Sequence, residues 1–365
     1  MKNGKATVQG FVLLDVDNAA LNNLGKDETT TFDNAVAVKK IIKNGYTYPY
    51  ISGQAWRYWW RETLALEFGW NLSPVIRETK VAYTEANPIN YPDDDVFGYM
   101  RAIKGEKGRK KDKSAEPGED EEKKKEEKTL TRLSPLKNSA LIAVASTRPS
   151  NEWSVMARAQ GDPVPYEKQV YACTMKGMFS LDLDEVGTFY TQNRSGFHNL
   201  NEDLGKAAKQ SNALVIDDPI AKDKEGKPLP RYRLPREVRL QRATDTIKAL
   251  HTIAGGAKRT TNLTDVTPKL IVLAAQRGGN HPFSHLAVAD RQEARFSIEA
   301  LRDVLKDYEK NFLSKIYIGR RVGFMDHLQE PLAALAQENS NVIVSSIGEA
   351  IMAFAEKVVP EVLPA

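Results

Sequence analysis

Arginine, asparagine and small residues are concentrated in a few short stretches of this chain, and the chemistry they suit is phosphate recognition. The densest stretch is Tyr50-Ile-Ser-Gly-Gln-Ala-Trp-Arg-Tyr-Trp-Trp-Arg61. Pro49 interrupts what precedes it, and the Ser52 hydroxyl suits the N-cap of a helix starting near Gly53. Trp56, Trp59, Trp60 and Thr63 fall at i, i+3, i+4 and i+7 and share one helical face, while Gln54, Arg57 and Arg61 fall on another. Orphan N–H groups at a small-residue helix start, beside a row of guanidinium forks, suit a phosphate. An amphipathic helix with tryptophan in the core and arginine in water satisfies the same spacing.

Other stretches have the same character. They are Asn22-Asn23, Arg148 with Arg158, Gly255 to Thr260, and Arg320-Arg321. Gly255-Gly256-Ala257 permits close approach of another backbone, and Lys258, Arg259, Thr260 and Thr261 are phosphate partners. Each stretch alone is a weak signal. Together they describe a protein that tracks a nucleic-acid backbone without reading bases.

Competing chemistries find less support. The sequence has no Gly-x-x-x-x-Gly-Lys-Ser and no Gly-x-Gly-x-x-Gly loop. His281 and His285 have i,i+4 spacing, but Pro282 lies between them and no Glu follows the first. The single cysteine, Cys173, sits mid-strand and reads as a buried structural thiol. Asp15 and Asp17, or the Asp93–Asp95 triplet, are candidates for a Mg²⁺ pair. The triplet follows Pro92 in what reads as a turn, where Asp bonds its own backbone. We therefore expect no catalytic residue, no metal and no cofactor.

These residues need elements to position them. The 365 residues are 41% hydrophobic and 27% charged, which suffices for one large or two ordinary cores, and the net charge of +4 leaves any basic groove local. One cysteine excludes an internal disulfide framework. The polar start and the lack of a bilayer-length apolar run point to a soluble cytoplasmic protein with no membrane partner. Thr7 to Val16 is apolar on both faces and reads as a central strand, followed by a long polar loop from Asp17 to Asp33. Val75 to Glu85 reads as a strand, and Tyr91 to Met100 as an acidic turn. Lys104 to Lys128 is nearly all Lys, Glu, Asp, Gly, Pro and Ser and cannot bury a core. Thr147 to Tyr166 reads as a protruding hairpin or loop, Val170 to Glu185 as a long strand, and Lys206 to Arg233 as a polar insertion. Helices are predicted at Pro235 to Ala254, Val288 to Leu305, Pro331 to Gln337 and Ile347 to Val358. Strands are predicted at Lys269 to Ala275, Phe312 to Ile318 and Asn341 to Ser345. This order fits a split βαβ, ferredoxin-like sheet with long insertions better than a doubly wound one.

The motifs, taken in order, resemble a known family. Leu14-Asp-Val16, Leu21-Asn-Asn23 and the Tyr50–Arg61 helix start are followed by Asp94-Asp-Val-Phe-Gly98, Arg132-x-Ser-Pro-Leu136, the strand from Val170 and Gly255-Gly-Ala-Lys-Arg259. The set resembles the Cas7 backbone subunits of CRISPR surveillance (Cascade) complexes, above all the type I-B branch (Cas7/Cst2/DevR). The resemblance implies an α+β fold: an RRM-like (ferredoxin-like) palm with an antiparallel sheet, helical finger insertions and a thumb hairpin. The palm would comprise 1–50, 170–190 and 240–330. Fingers and an adjoining helix would occupy 51–103 and 130–140, and a disordered charged linker 104–129. The thumb would be 146–168, a polar insertion 205–235, and a C-terminal helical segment 331–365.

The resemblance further implies copies lined up along CRISPR RNA, with target DNA read in segments and with Cas5, a Cas8-type large subunit and Cas6 as neighbours. Carried over, Asn22, Asn23, Ser52, Gly53, Gln54, Arg57, Arg61, Arg158, Gly255, Gly256, Lys258, Arg259 and Arg320 would bind RNA. Trp153 or Met156 would wedge between bases from the thumb. The first loop reads Leu21-Asn-Asn-Leu24 where several branches have Leu-Asn-Arg-Asp, so it lacks their arginine. Type III relatives cut target RNA with an Asp in the comparable loop, here Asp33. That metal-dependent cleavage is the alternative function.

Overall fold

Ala6–Ala19 forms one 14-residue strand (β1) whose residues from Ala6 to Leu14 are all buried. A strand buried on both faces needs a partner on each edge and a layer on each side. Its edges are taken by the 19-residue strand Val164–Asp182 and by Leu270–Arg277, both antiparallel. The computed structural model describes residues 4–25, 35–79, 81–101, 129–156, 162–193 and 197–365. By internal contacts the chain forms two compact units. One comprises Met1–Gly69, Leu136–Asp184 and Leu240–Ala365; the other comprises Trp70–Pro135 and Glu185–Arg239.

In the first unit the sheet runs in the order Val342–Ser345, Ile316–Arg320, Leu270–Arg277, β1, Val164–Asp182, Leu141–Ala143, Tyr46–Ile51, Lys40–Lys43. It is mostly antiparallel; Ile316–Arg320 and Val342–Ser345 pair in parallel. On one face Phe11 and Leu13 join Leu270, Val272 and Ala274 under the helices Ile298–Asp307 and Gln329–Glu338. On the other, Gly10 lies beneath the ring of Phe179, which meets Trp60 edge-on at 5.2 Å. Trp60 belongs to the helix Gly53–Phe68 (α1), and its indole N–H donates to the carbonyl of Thr246 in the helix Arg236–Lys248. The tryptophan face predicted for α1 is therefore the core face, with Trp56, Trp59, Trp60 and Thr63 buried.

Several expectations are corrected. Val288 to Leu305 is not one helix. Ala287–Asp290 and Glu293–Phe296 form a hairpin turned at Arg291, whose φ is +56°, and only Ile298–Asp307 is helical. Ser297 caps that helix through the N–H of Ala300, and this local bond sets its start where periodicity alone ran on. The long strand begins at Val164, because its first half pairs with Ser150–Met156. The strand expected from Phe312 starts later and is Ile316–Arg320. Cys173 is only half-buried, although burial and nearby Asp15 push its thiol up to about 12.

The second unit corrects two more. Val75–Arg77 and Ala82–Thr84 are a hairpin rather than one strand. The polar insertion is a helix, Glu202–Gln210, and a hairpin, Leu214–Lys222 with Pro228–Arg233. The Asp triplet, expected in an acidic turn, is the first turn of the helix Pro92–Phe97, and all three are buried. Each carboxylate satisfies backbone: Asp93 accepts from Ser73 N–H, Asp94 from Asn87 N–H, and Asp95 from Gly187 N–H and from Arg132. Arg132 also lies over the Phe189 ring at 4.5 Å. These acids hold loops, since removing one leaves a buried donor unmet. The charged run at 104–128 lies outside the described residues.

Packing around β1 makes two outcomes measurable. A methyl group at Gly10 would come within 2.1 Å of the Phe179 ring, so Gly10→Ala should lower unfolding free energy in urea by about 1–3 kcal/mol. Adding Phe179→Leu should make the double variant less destabilised than the sum of the singles. His281 Nε2 lies 3.0 Å from the Gly10 carbonyl and 3.1 Å from that of Phe179, and Nδ1 accepts from Phe283 N–H. The ring is held neutral, and burial lowers its pKa below 6.5. The unfolded chain therefore takes up this proton at higher pH than the fold does. Stability should be full above about pH 6.5 and fall as pH drops through the folded value, and His281→Gln should flatten that decline in pH-dependent melts.

Candidate nucleic-acid interface

Two hydrogen bonds gather three sequence-distant loops in the first unit. The side-chain carbonyl of Asn22 accepts from the N–H of Ser52 at 2.9 Å. The carbonyl of Leu21 accepts from the N–H of Ala257 at 3.0 Å. The loop after β1, the start of α1 and the Gly255-containing loop thus meet at one place. Glycine is required there. A Cβ on Gly255 would sit 2.1 Å from the indole of Trp59, and one on Gly256, whose φ is +110°, would sit 2.3 Å from Leu21. Ala254 N–H donates to Thr63 Oγ1 at 3.3 Å and fastens the same loop to α1.

The start of α1 is built as expected. Ser52 is extended, its hydroxyl accepts from Ala55 N–H, and the first turn holds no acid. Gln54 is exposed beside it, and Gly53 sits against the amide of Asn138 at 3.2 Å from an ideal Cβ. Lys258 takes a left-handed φ of +56° and its carbonyl accepts from the N–H groups of Thr261 and Asn262. This tight turn leaves Lys258, Arg259 and Thr260 exposed next to an acid-free helix start. Cations and N–H donors converge here with no carboxylate on the first turn to compete.

The arginine row does not behave as a solvent-facing comb. Arg57 Nη1 donates to the carbonyl of Leu136 at 2.7 Å and to Asn138 Oδ1 at 2.9 Å. Burial, and then the charge of Arg61, lower its pKa to about 10, which leaves it charged at neutral pH. Arg57 anchors the start of α1 to Leu136–Asn138, and Arg61 is half-buried one turn on. Arg320 lies elsewhere: its strand is two removed from β1, it pairs with Asp326, and its side chain is 8% exposed. It is a turn clamp, because it also donates to the carbonyl of Phe324. Asn23 is half-buried, and its Oδ1 has no hydrogen-bond partner among the described residues.

Trp153 is 56% exposed on the strand Ser150–Met156, opposite Glu167. Met156 ends that strand, and Arg158 lies outside the described residues, as does Asp33. Spacing alone missed Lys168. It is 3% exposed, and its ammonium reaches Asn262 Oδ1 at 2.7 Å, Thr261 Oγ1 at 3.2 Å and Glu152 Oε1 at 3.0 Å. Asn262 in turn donates to the carbonyl of Asn18. Lys168 thereby joins the base of the hairpin to the basic loop and the end of β1. The available signal was Glu167-Lys168-Gln169, three successive polar residues ahead of the apolar run at Val170; in the fold they lie within the strand Val164–Asp182 and all are buried.

The sequence matches the family model for the CRISPR-associated negative auto-regulator DevR/Csa2 over residues 16–293. A search of curated proteins finds no significant match. Among solved structures, a CRISPR RNA-guided surveillance complex in a pre-nicking state aligns at 10% identity with a TM-score of 0.48, covering 83% of this chain and 88% of that one. A second CRISPR RNA-guided surveillance complex aligns at 10% identity with a TM-score of 0.43, covering 90% and 99%. Among the described residues, no helix is long and apolar enough to cross a membrane.

Asn22→Ala should test the clasp. Loss of the acceptor leaves the Ser52 N–H unmet, so amide exchange at Ser52 should accelerate and unfolding free energy fall by about 1 kcal/mol. Unchanged exchange at Ser52 would show that the loop and helix start hold together without it.

Proposed function

Because the chain belongs to the DevR/Csa2 family of CRISPR-associated, Cas7-type proteins, we propose that it is a CRISPR RNA-binding backbone subunit of a surveillance complex. The observation that carries the proposal is the convergence of Leu21–Asn23, Ser52–Gln54 and Gly255–Arg259 at one lip. In this reading the orphan N–H groups of α1 and the exposed Lys258 and Arg259 receive guide phosphates. Gly255 and Gly256 let Trp59 and Leu21 pack against the loop, Asn23 supplies a further amide, and Arg57 and Lys168 hold the lip in shape. No base edge is read, which suits a guide whose sequence varies.

An RRM-like palm accounts for the element order. β1, α1, Leu141–Ala143, Val164–Asp182, the helix Arg236–Lys248 and Leu270–Arg277 follow a βαββαβ sequence, and the four strands lie in the order last, first, third, second. The hairpin of Ser150–Met156 with Val164 onward would be the thumb, with exposed Trp153 as its wedge. Copies of the chain would assemble along the guide and present it to target DNA, with Cas5, a Cas8-type subunit and Cas6 at the ends, in the cytoplasm and in a type I-B setting. The subunit would bind without cutting.

Lys258→Glu combined with Arg259→Glu tests the lip, since both side chains are exposed and the fold should survive. Guide RNA should co-purify with the unaltered chain and be absent from the variant. Titrations with a 30-nucleotide RNA should show weaker binding and a log–log salt slope shallower by about 0.7 for each phosphate the variant no longer neutralises. Equal guide retention and an equal slope would overturn the assignment.

A further inference from the structure

The stretch Tyr46-Thr-Tyr-Pro-Tyr50 precedes the lip and plays no part in it. It forms the strand Tyr46–Ile51, which lies near one edge of the large sheet and pairs with Lys40–Lys43. The register places its side chains. Tyr46 stands opposite Lys43, Tyr48 opposite Ile41, and Tyr50 opposite Ile142, which itself stands opposite Lys176. Directly opposed residues share a face, and so do residues two apart. Ile41, Lys43, Tyr46, Tyr48, Tyr50, Ile142 and Lys176 therefore occupy one face. It is the reverse of the α1 face, because Ile51, Leu141 and Gly177 alternate with them and Gly177 abuts Trp56.

This face is open and basic. Tyr46 is 62% exposed and Ile41 38%, Lys43 is exposed, and Tyr48 and Tyr50 are partly so. Lys176 and Lys43 are close enough to repel: burial first, and then Lys43, lower the pKa of Lys176. Lys176 donates to the carbonyl of Ser284, a neutral partner. Asp15, on the same face opposite Thr174, has Lys269 as its cationic neighbour. Strand residues two apart are separated by about 6.8 Å, twice the stacking distance of bases, so successive tyrosines can each take a base with the next one between.

We propose that Tyr46, Tyr48 and Tyr50, flanked by Lys43 and Lys176, form a second nucleic-acid site, a stacking platform for single-stranded DNA. Rings supply base-stacking surface, the two ammonium groups supply phosphate contacts, and Ile41 and Ile142 lie between them as apolar contacts for thymine methyls. The site is on the opposite face from α1, so it rests on the lip reading only in that the guide is held elsewhere.

The test uses the full chain and fluorescein-labelled dT20, dU20 and rU20. The unaltered protein should bind dT20 more tightly than dU20 or rU20. Tyr46→Ala with Tyr48→Ala should weaken dT20 by about 10-fold or more, while Tyr46→Phe with Tyr48→Phe retains it, which separates ring loss from misfolding. Lys258→Glu with Arg259→Glu should lose guide RNA yet keep dT20. A change under two-fold in the alanine variant overturns the platform, as does ring-dependent binding that prefers rU20. If the alanine variant loses guide and the lip variant keeps it, the lip reading fails instead.

Discussion

Leu21 and Asn22 hold the candidate site together. One gives its carbonyl to Ala257 and the other its side-chain carbonyl to Ser52, so two adjacent residues fix a helix start and a glycine loop that are distant in sequence. Both bonds depend on where β1 ends, and β1 is fixed by apolar contacts on both faces and an antiparallel partner on each edge. A slip of one residue would turn every side chain of β1 to the wrong layer. The site is therefore positioned from a distance: the core sets the register, and the register sets the loops.

The buried charges are explained by the same economy of position. Arg57, Lys168, Arg132 and Arg320 resemble ligand-binding residues in isolation. Each is instead directed at carbonyls, amides or carboxylates of the fold. Desolvating a charge without a partner is expensive, so such residues are placed where several acceptors meet. Among the described residues, cations that stay exposed on tight turns and sheet surface include Lys258, Arg259 and Lys43, where solvation is retained.

The sheet also separates two surfaces of different character. On the α1 side its end presents N–H donors and the exposed Lys258 and Arg259, which suits a sugar–phosphate chain. On the reverse side near its edge it presents tyrosines interleaved with isoleucine and lysine, which suits bases. Alternation along the strand Tyr46–Ile51 generates both: Tyr50 faces one way, Ile51 the other, and Ser52 then begins α1.

Local chemistry was legible in the sequence. Ser52 as a cap, the tryptophan face of α1 and the two-sided strand β1 each follow from a few neighbouring residues and simple sterics. The ordered motifs pointed to the family for the same reason. Periodicity misled at Val288 to Leu305, where a turn at Arg291 and the Ser297 cap outweighed a helical pattern, and turn chemistry misled at the Asp triplet, whose partners at Ser73, Asn87 and Gly187 are distant in sequence. Which arginines remain at the surface, and that Lys168 ties hairpin to loop, was decided by tertiary structure alone. A charged side chain goes to whichever acceptors the folded chain brings within about 3 Å, and no spacing along the sequence encodes that distance.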